Sequence, residues 1–337
     1  MPESELYDVI IVGAGPAGFA AALYTTRDRY STLILEKSGL AGGQIMLTNE
    51  VVNYPGYESI TGPDLIAHMQ KQVENFGAEV TILSEVTGLT RRDDGHLAVE
   101  VNGGEKTYLG RAVILSPGSD YRQLGVPGES ELREATRVSY CATCDGAFYR
   151  DKHILAVGGG NTAVEDTIYL AERFTKKVTM IHRREEFRAQ KILVDELYRK
   201  AAEHNIDIKL PYLLTEIVAD ESGKEIDHVK LTNVKTNEVE QLKVDGVFLF
   251  VGMIPNTRWL KGIVELTDQG YIRCDCLTLQ TSLPGVFVAG DCRAGAAMQL
   301  ATACADGVVA AMMLKQYYRD PSAWAKESAE GIGGTGW

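Results

Sequence analysis

The sequence predicts an α/β protein of two Rossmann-like three-layer units, and three observations predict it. A glycine run, Gly13-Ala-Gly15-Pro16-Ala17-Gly18, follows an apolar stretch and precedes a helical one. A second run, Gly158-Gly-Gly160-Asn161-Thr162-Ala163, stands in the same setting. Between them lies a sulfur pair, Cys141-Ala-Thr-Cys144, followed at once by Asp145. A strand, a glycine turn, a helix and a second strand within some 30 residues form the dinucleotide-binding unit. This chain carries that unit twice.

The elements follow in order. Tyr7 to Val12 reads as a buried strand, Ala17 to Thr26 as a helix, and Thr32 to Leu35 as a second strand ending at Glu36. Pro63 to Asn75 reads as a helix. A meander follows, with Leu97 to Val101, a Gly103-Gly104 turn and Lys106 to Leu109. Ala112 to Leu115 is apolar and ends in Ser116-Pro117-Gly118. The second unit begins with His153 to Val157 and continues through a helix from Thr162 to Arg173 to the strand Val178 to Ile181. Val247 to Val251, ending at Gly252, repeats the strand-then-glycine device of Gly118, so both points are candidate hinges. Val286 to Ala289 leads to Gly290-Asp291, and a long apolar helix is expected over Ala296 to Tyr318. Asp320 to Trp337 is rich in glycine, serine and charge and reads as a mobile tail.

In the first glycine run one glycine allows the tight turn, the next lets a pyrophosphate approach the backbone, and Gly18 lets helix and strand pack closely. The helix start offers unpaired N–H groups and a partial positive charge to phosphate. Glu36 stands where a carboxylate accepts hydrogen bonds from ribose hydroxyls. Asp291, after a late apolar strand, leans toward a flavin, because an acid there can bond a ribityl hydroxyl. The competing reading is a glycine turn without a ligand.

The second run lacks the acid. His182-Arg183-Arg184 ends its second strand, with Arg188 close behind. Guanidinium groups suit a 2′-phosphate, the mark that distinguishes NADPH from NADH. The plainer reading is a solvated basic segment.

Two cysteines at i and i+3 can close and reopen a small disulfide. A cysteine at the start of a helical turn has its thiolate favoured by the dipole, and Asp145 can hand protons to or from it. The pair also reads as half of a zinc site with Cys274-x-Cys276, or as two buried apolar residues. Cys304 and Cys292 read as packing. Cys274 and Cys276 alternate in a strand-like segment and would point to one face.

Composition narrows the partners. The chain has 337 residues and a formal charge of −12, with 46 acidic and 34 basic residues, so a polyanion is a poor partner. No apolar run approaches the ~20 residues of a membrane span. The acidic start, Met1-Pro-Glu-Ser-Glu, lacks the basic and apolar segments of a signal peptide, so a cytoplasmic protein is expected.

Together these features resemble the low-molecular-weight bacterial thioredoxin reductases, over roughly Leu6 to Tyr317. The pieces are Gly13 to Gly18, Gly42-Gly43-Gln44, Asn53-Tyr-Pro-Gly56, Cys141 to Gly146, Gly160 to Glu165, His182 to Ala189 and Gly290-Asp291. The resemblance implies FAD at Gly13, Gly15, Pro16, Ala17, Gly18, Glu36, Gly43, Gln44, Asn53, Val86, Gly118, Gly290, Asp291, Gln299 and Leu300. It implies NADPH at Gly158, Gly160, Asn161, Thr162, Ala163, His182, Arg183, Arg184 and Arg188, and no metal. It further implies an FAD domain of residues 1–119 and 251–319, with an NADPH domain of residues 120–250 inserted and carrying the dithiol. Residues 320–337 would follow as a tail. Cys144 would face the flavin, Cys141 would attack thioredoxin, Asp145 would donate the proton, and the protein would be a homodimer. Alternatives are the same reductase fed by ferredoxin, a flavin-linked dithiol oxidase, and a non-catalytic redox sensor.

The chain departs from the family pattern in four places. Ser116-Pro117-Gly118 stands for Ala-Thr-Gly, Tyr140 for a small residue before the dithiol, and Met298-Gln299-Leu300 for Arg-Gln-Ala. The tail is also longer. All four are expected near the flavin, and Trp324 or Trp337 is a candidate to stack on its ring.

Overall fold

The computed structural model describes residues 6–48, 50–322 and 324. The chain divides into two compact units, one of residues 1–120 and 254–337 and one of residues 121–253. In the first unit, Asn256 N–H donates to the Gly118 carbonyl at 3.0 Å. In the second, Arg122 N–H donates to the Gly252 carbonyl at 3.0 Å. Each unit is thus entered and left through neighbouring backbone.

The first unit is built on a seven-stranded sheet. The strand Leu6–Val12 is central. Thr32–Leu35 runs parallel on one side, and Lys106–Leu115 runs parallel on the other. Glu79–Thr81 extends the first side. The residues of the central strand alternate between two cores. Val9 and Ile11 join the helices Pro16–Arg27, Gly62–Asn75 and Leu300–Arg319, while Ile10 and Val12 join the antiparallel meander of Val86–Arg91 and Leu97–Val101. A strand buried on both faces needs an unbroken apolar run, and this one has it. Each fully buried Ile or Val here contributes roughly 1.5–3 kcal/mol, more than any exposed ion pair on the same unit.

Lys106–Leu115 is one continuous strand, where the sequence suggested two short ones separated near Gly110. Its first half pairs with Leu97–Val101 and its second half with Val286–Val288, so one strand serves both neighbours. The last helix starts at Leu300 rather than Ala296. Met298 has a positive φ of 54°, and extended Gln299 caps the helix in a box with Thr302.

The second unit repeats the plan. Its sheet of five parallel strands runs, in spatial order, Ile206–Lys209, Lys177–Ile181, His153–Gly158, Gly246–Phe250 and Val138–Ser139. Ile154 and Ala156 face the helices Asn161–Arg173 and Lys191–Glu203. Leu155 and Val157 face a three-stranded antiparallel sheet of Tyr212–Ala219, Ile226–Asn233 and Val239–Leu242. Helix layer, parallel sheet and β-meander make three layers in both units.

Two further readings of the sequence are corrected. Cys274 and Cys276 do not lie in a strand. Asp275 between them accepts the N–H groups of Leu277 and Thr278 at 3.0 and 2.8 Å, which folds the segment into a turn. Trp324 is not available to a flavin ring. It is buried in the first unit, edge-on to Phe287 at 5.9 Å and to Tyr317 at 6.2 Å. Trp337 lies outside the described residues. No helix among the described residues is long and apolar enough to cross a membrane.

Candidate nucleotide sites and dithiol

In the first unit the glycine turn is closed from behind. Gly13 has a φ of 103°, and a Cβ on it would fall 2.3 Å from the Ser116 carbonyl oxygen. A Cβ on Gly18 would fall 2.1 Å from the Gly13 carbonyl oxygen. Gly15 is different, since the nearest atom to a Cβ there is 3.9 Å away, and the Pro16 helix behind it has no side-chain cap. A tight back and an open front suit a turn meant to receive a phosphate. Ser116, one of the departures, donates to the Val12 carbonyl at 3.0 Å and packs against Gly18. It braces the turn.

Glu36 is buried at the end of its strand. It accepts the Ala14 N–H on one oxygen at 2.9 Å and the Ser38 N–H and hydroxyl on the other at 2.9 and 2.6 Å. It ties the glycine turn to the neighbouring strand, with a lone pair left over on the oxygen that accepts Ala14. Asn53 meets Gln299 at 3.5 Å, which brings two candidates together, while Gln44 donates to Asp120 at 2.6 Å. Gly43 and Gly118 have positive φ. The Val86 side chain sits in the core, which leaves only its backbone to meet a ligand. Leu300 opens the last helix.

Asp291 provides the test of fit for a flavin. Its Oδ1 is buried and has no hydrogen-bond partner among the described residues. Burial, with the nearby Asp306, pushes its carboxyl up to about 6, against the pull of Arg293. A buried acceptor without a donor is costly, and a ligand hydroxyl is the group it lacks. Beside it Arg293 grips Asp306 through two bonds of 2.7 and 3.0 Å, and Asp306 also accepts the Gly290 N–H at 3.1 Å. Sequence reasoning missed this brace. A lone acid in an otherwise apolar helix was the signal for Asp306.

The second unit has its own open turn. Nothing lies within 4 Å of a Cβ on Gly160, and the Asn161 helix behind it has no side-chain cap. Ala163 replaces the third glycine, so only the first position stays crowded: a Cβ on Gly158 would lie 2.5 Å from Ala163 and 2.6 Å from the Phe250 carbonyl. The segment 182–190 folds back onto this turn. Arg188 N–H donates to the Gly159 carbonyl at 2.7 Å, and Gln190 N–H to the Asn161 side chain at 2.9 Å. Arg183, Arg184 and Arg188 are exposed and pair with no acid among the described residues, whereas Glu185 is taken by Lys235. Thr162 is exposed at the helix start.

His182 behaves unlike the three arginines. It is buried, its ring stacks on Phe187 at 5.8 Å, and it covers Gly159 so closely that a Cβ there would meet it at 2.4 Å. Burial first, then the charges of Arg188, Arg184 and Arg183, hold its pKa down. It supplies an uncharged ring rather than a fourth positive charge.

The sulfurs of Cys141 and Cys144 are joined in a disulfide, with Cα atoms 5.3 Å apart, so they are not a zinc-binding thiolate pair. Cys141 caps the turn Ala142–Asp145, and its sulfur accepts the Cys144 N–H at 3.2 Å. Asp145 accepts the Ser139 hydroxyl at 2.6 Å. Burial pushes its carboxyl up, and the bond from Ser139 opposes that. Tyr140, another departure, is held within its own unit. Its hydroxyl donates to the buried Glu129 at 2.6 Å, its ring stacks on Tyr121 at 5.0 Å, and the Arg133 guanidinium lies 4.9 Å from it. The other four cysteines are unpaired with one another. Cys292 and Cys304 are buried, and burial pushes the Cys274 thiol up to about 11.

Two open glycine turns and a closed dithiol define a disulfide oxidoreductase that draws on a nucleotide. The chain belongs to the pyridine nucleotide-disulphide oxidoreductase family, whose model matches residues 7–307. Within that family its relatives are thioredoxin reductases. It is 42% identical to the thioredoxin reductase of Listeria monocytogenes over 97% of this chain and 98% of that protein. It is 41% identical to the thioredoxin reductase of Bacillus subtilis over 95% of this chain and 97% of that protein. The crystal structure of thioredoxin reductase from Streptococcus pyogenes is 39% identical, with a TM-score of 0.86, covering 94% of this chain and 99% of that one.

Proposed function

We propose that the chain is an NADPH-dependent, FAD-containing thioredoxin reductase. The observation that carries this is the closed Cys141–Cys144 pair on the same unit as an open glycine turn fringed by unpaired arginines. When bound, NADPH supplies a hydride and FAD supplies a two-electron store that can reduce a disulfide.

The protein's own groups do the rest. Arg183, Arg184 and Arg188 hold the 2′-phosphate, and the Gly160 turn with the Asn161 helix start takes the pyrophosphate. His182 offers a flat, uncharged ring beside that turn. In the first unit, the Gly15 turn takes the other pyrophosphate and Asp291 accepts a ribityl hydroxyl.

Two electrons and two protons convert the Cys141–Cys144 disulfide to a dithiol. Cys141, capping its turn, is the better stabilised thiolate, because the Cys144 N–H and the turn dipole both favour negative charge on its sulfur. It attacks the thioredoxin disulfide, forms a mixed disulfide and displaces a thiolate, which takes a proton from Asp145. Cys144 then attacks the Cys141 sulfur, its proton passes to the second thiolate of thioredoxin as that leaves, and the internal disulfide closes again.

A ferredoxin donor would leave the arginines without purpose, and NADPH gives them one. We also propose that the protein works in the cytoplasm as a homodimer. Leu40, Leu47, Val52 and Tyr57 are exposed apolar side chains of the first unit, which supports the pairing, and light scattering in solution tests it.

The first experiment is anaerobic mixing with NADPH while following flavin absorbance, then coupled thioredoxin turnover. Bleaching by NADPH but not NADH, followed by thioredoxin reduction, is expected. A flavin that stays oxidised in NADPH would overturn the donor. Cys141→Ser should keep flavin bleaching and stop thioredoxin turnover, and surviving turnover would reverse the roles of the two sulfurs.

A further inference from the structure

We propose that Ser139 is the positioning residue for the proton of thiol–disulfide exchange: its hydroxyl holds the Asp145 carboxyl and links it to the backbone of Cys141. The inference rests on the proposed reductase activity. It concerns a residue that neither the glycine turns nor the sulfur motif contains.

Ser139 ends the strand Val138–Ser139 and is buried. Its hydroxyl donates to Asp145 Oδ2 at 2.6 Å, a length typical of a bond to a charged acceptor. The same oxygen accepts the Cys141 N–H at 3.2 Å and lies 3.4 Å from the Cys141 carbonyl oxygen. That carbonyl already accepts the Asp145 N–H at 3.2 Å, so Ser139, Cys141 and Asp145 form one closed hydrogen-bonded group.

A hydroxyl carries one proton. While Asp145 is ionised, that proton points at its carboxylate. When Asp145 takes a proton from solvent, the carboxyl donates to Ser139 Oγ. The Ser139 proton is then freed to turn toward the Cys141 carbonyl. One proton is gained and no electron moves. The two states differ in the hydrogen bond made at the residue that bears the attacking sulfur. Ser139 also sets how readily Asp145 gives up its proton, because its bond favours the charged form that burial disfavours.

The other titratable groups nearby are few. Cys141 and Cys144 are on the same turn. Tyr149 follows it, with a phenol that feels both Asp145 and Arg137. The turn packs on the Asn161 helix, which carries Glu165 and Asp166. Burial and Glu165 push Asp166 up to about 6, a shift in the same direction as that of Asp145. A test must therefore separate Asp145 from Asp166.

The full-length, flavin-loaded protein is compared as wild type, Ser139→Ala, Ser139→Thr, Asp145→Asn and the Ser139→Ala/Asp145→Asn double variant. The readout is the pH profile of thioredoxin turnover. Ser139→Ala should move the Asp145-dependent limb up by about one pH unit, the worth of one lost hydrogen bond to a charged group. It should leave KM for thioredoxin unchanged, and Ser139→Thr should restore the limb. In Asp145→Asn the limb is absent, and adding Ser139→Ala should move nothing further, which separates Asp145 from Asp166.

A second readout needs no NADPH. The dithiothreitol-reduced protein is alkylated with iodoacetamide across pH, and the same upward shift is expected. If Ser139→Ala does not fold, Ser139→Gly, which likewise removes the hydroxyl, replaces it. An unshifted limb in Ser139→Ala, or a shift that persists on the Asp145→Asn background, overturns the proposal. Should the wild type reduce no thioredoxin, the reductase reading fails, and the alkylation arm still decides the role of Ser139.

Discussion

The two glycine turns share a plan and differ in where they are crowded. In the first unit the third glycine has no room for a methyl group, because the Gly13 carbonyl stands 2.1 Å from where its Cβ would be. In the second unit Ala163 occupies that position, and only the first glycine, Gly158, has no room, as Gly13 has none in the first unit. The strand ends differ too. Glu36 is buried and bound on both oxygens, whereas the segment after Ile181 presents three exposed guanidinium groups. A fingerprint thus specifies an open turn in front of a helix. The fit behind the turn and the charge beside it are set separately in each unit.

The largest effect should come from carrying the second unit's residue into the first. In Gly18→Ala the new methyl meets backbone, which cannot turn aside as a side chain can. A loss of at least about 3 kcal/mol is expected, and the protein should purify without its yellow colour. Thermal unfolding and the ratio of flavin to protein absorbance measure it. A yellow, stable Gly18→Ala protein would mean that the crowding at Gly18 is readily relieved.

Next is Trp324→Ala, which asks whether the first unit is fastened by the end of its chain. The indole packs edge-on against Phe287 and Tyr317 in the core. Its removal should cost about 3–5 kcal/mol and lower the temperature at which flavin is released, with an unchanged flavin spectrum at rest. An altered spectrum at unchanged stability would restore the idea that this ring touches the cofactor.

Much of this was legible in the sequence because it is periodic or local. The glycine turns, the sulfur pair and the buried strands that feed them obey short spacing rules. The helix Lys191–Glu203 escaped notice because Leu197 is its one fully buried residue, which leaves a faint apolar stripe. The antiparallel strands from Tyr212 to Leu242 alternate weakly and are broken by bulges near Leu214 and Val218. Ser139, Glu129 and Arg293 were invisible for another reason, and Asp306 offered only its isolation in an apolar helix. Each is a single polar residue whose meaning lies in burial and in the bonds of a non-periodic segment, which spacing rules do not report. Glu129, for example, gathers the N–H groups of Leu124, Gly125 and Val126 and the Tyr140 hydroxyl. Trp324 misled because a tail rich in glycine and charge hides one anchor.

The charge beside the second turn is tested by Arg183→Ala with Arg184→Ala. Two charge-assisted bonds are removed from the 2′-phosphate, so KM for NADPH should rise about 10- to 100-fold, with little change for NADH. Equal changes for both nucleotides would remove the difference that separates this strand end from Glu36.

The smallest effect should come from the reverse exchange, Ala163→Gly. Ala163 is buried in the core of the second unit, in the first turn of the Asn161 helix. Glycine there loosens the helix by about 1 kcal/mol, and the lost methyl adds a small void. No backbone overlap is created, because the crowded position in this unit is Gly158. The protein should stay yellow and keep its KM for NADPH within error, with only its unfolding midpoint lowered. The asymmetry between Gly18→Ala and Ala163→Gly is therefore the sharper measurement. If both exchanges were equally mild, the two turns would be interchangeable. If Ala163→Gly abolished NADPH binding, the Ala163 methyl would be shaping the open side of its turn as well as its back.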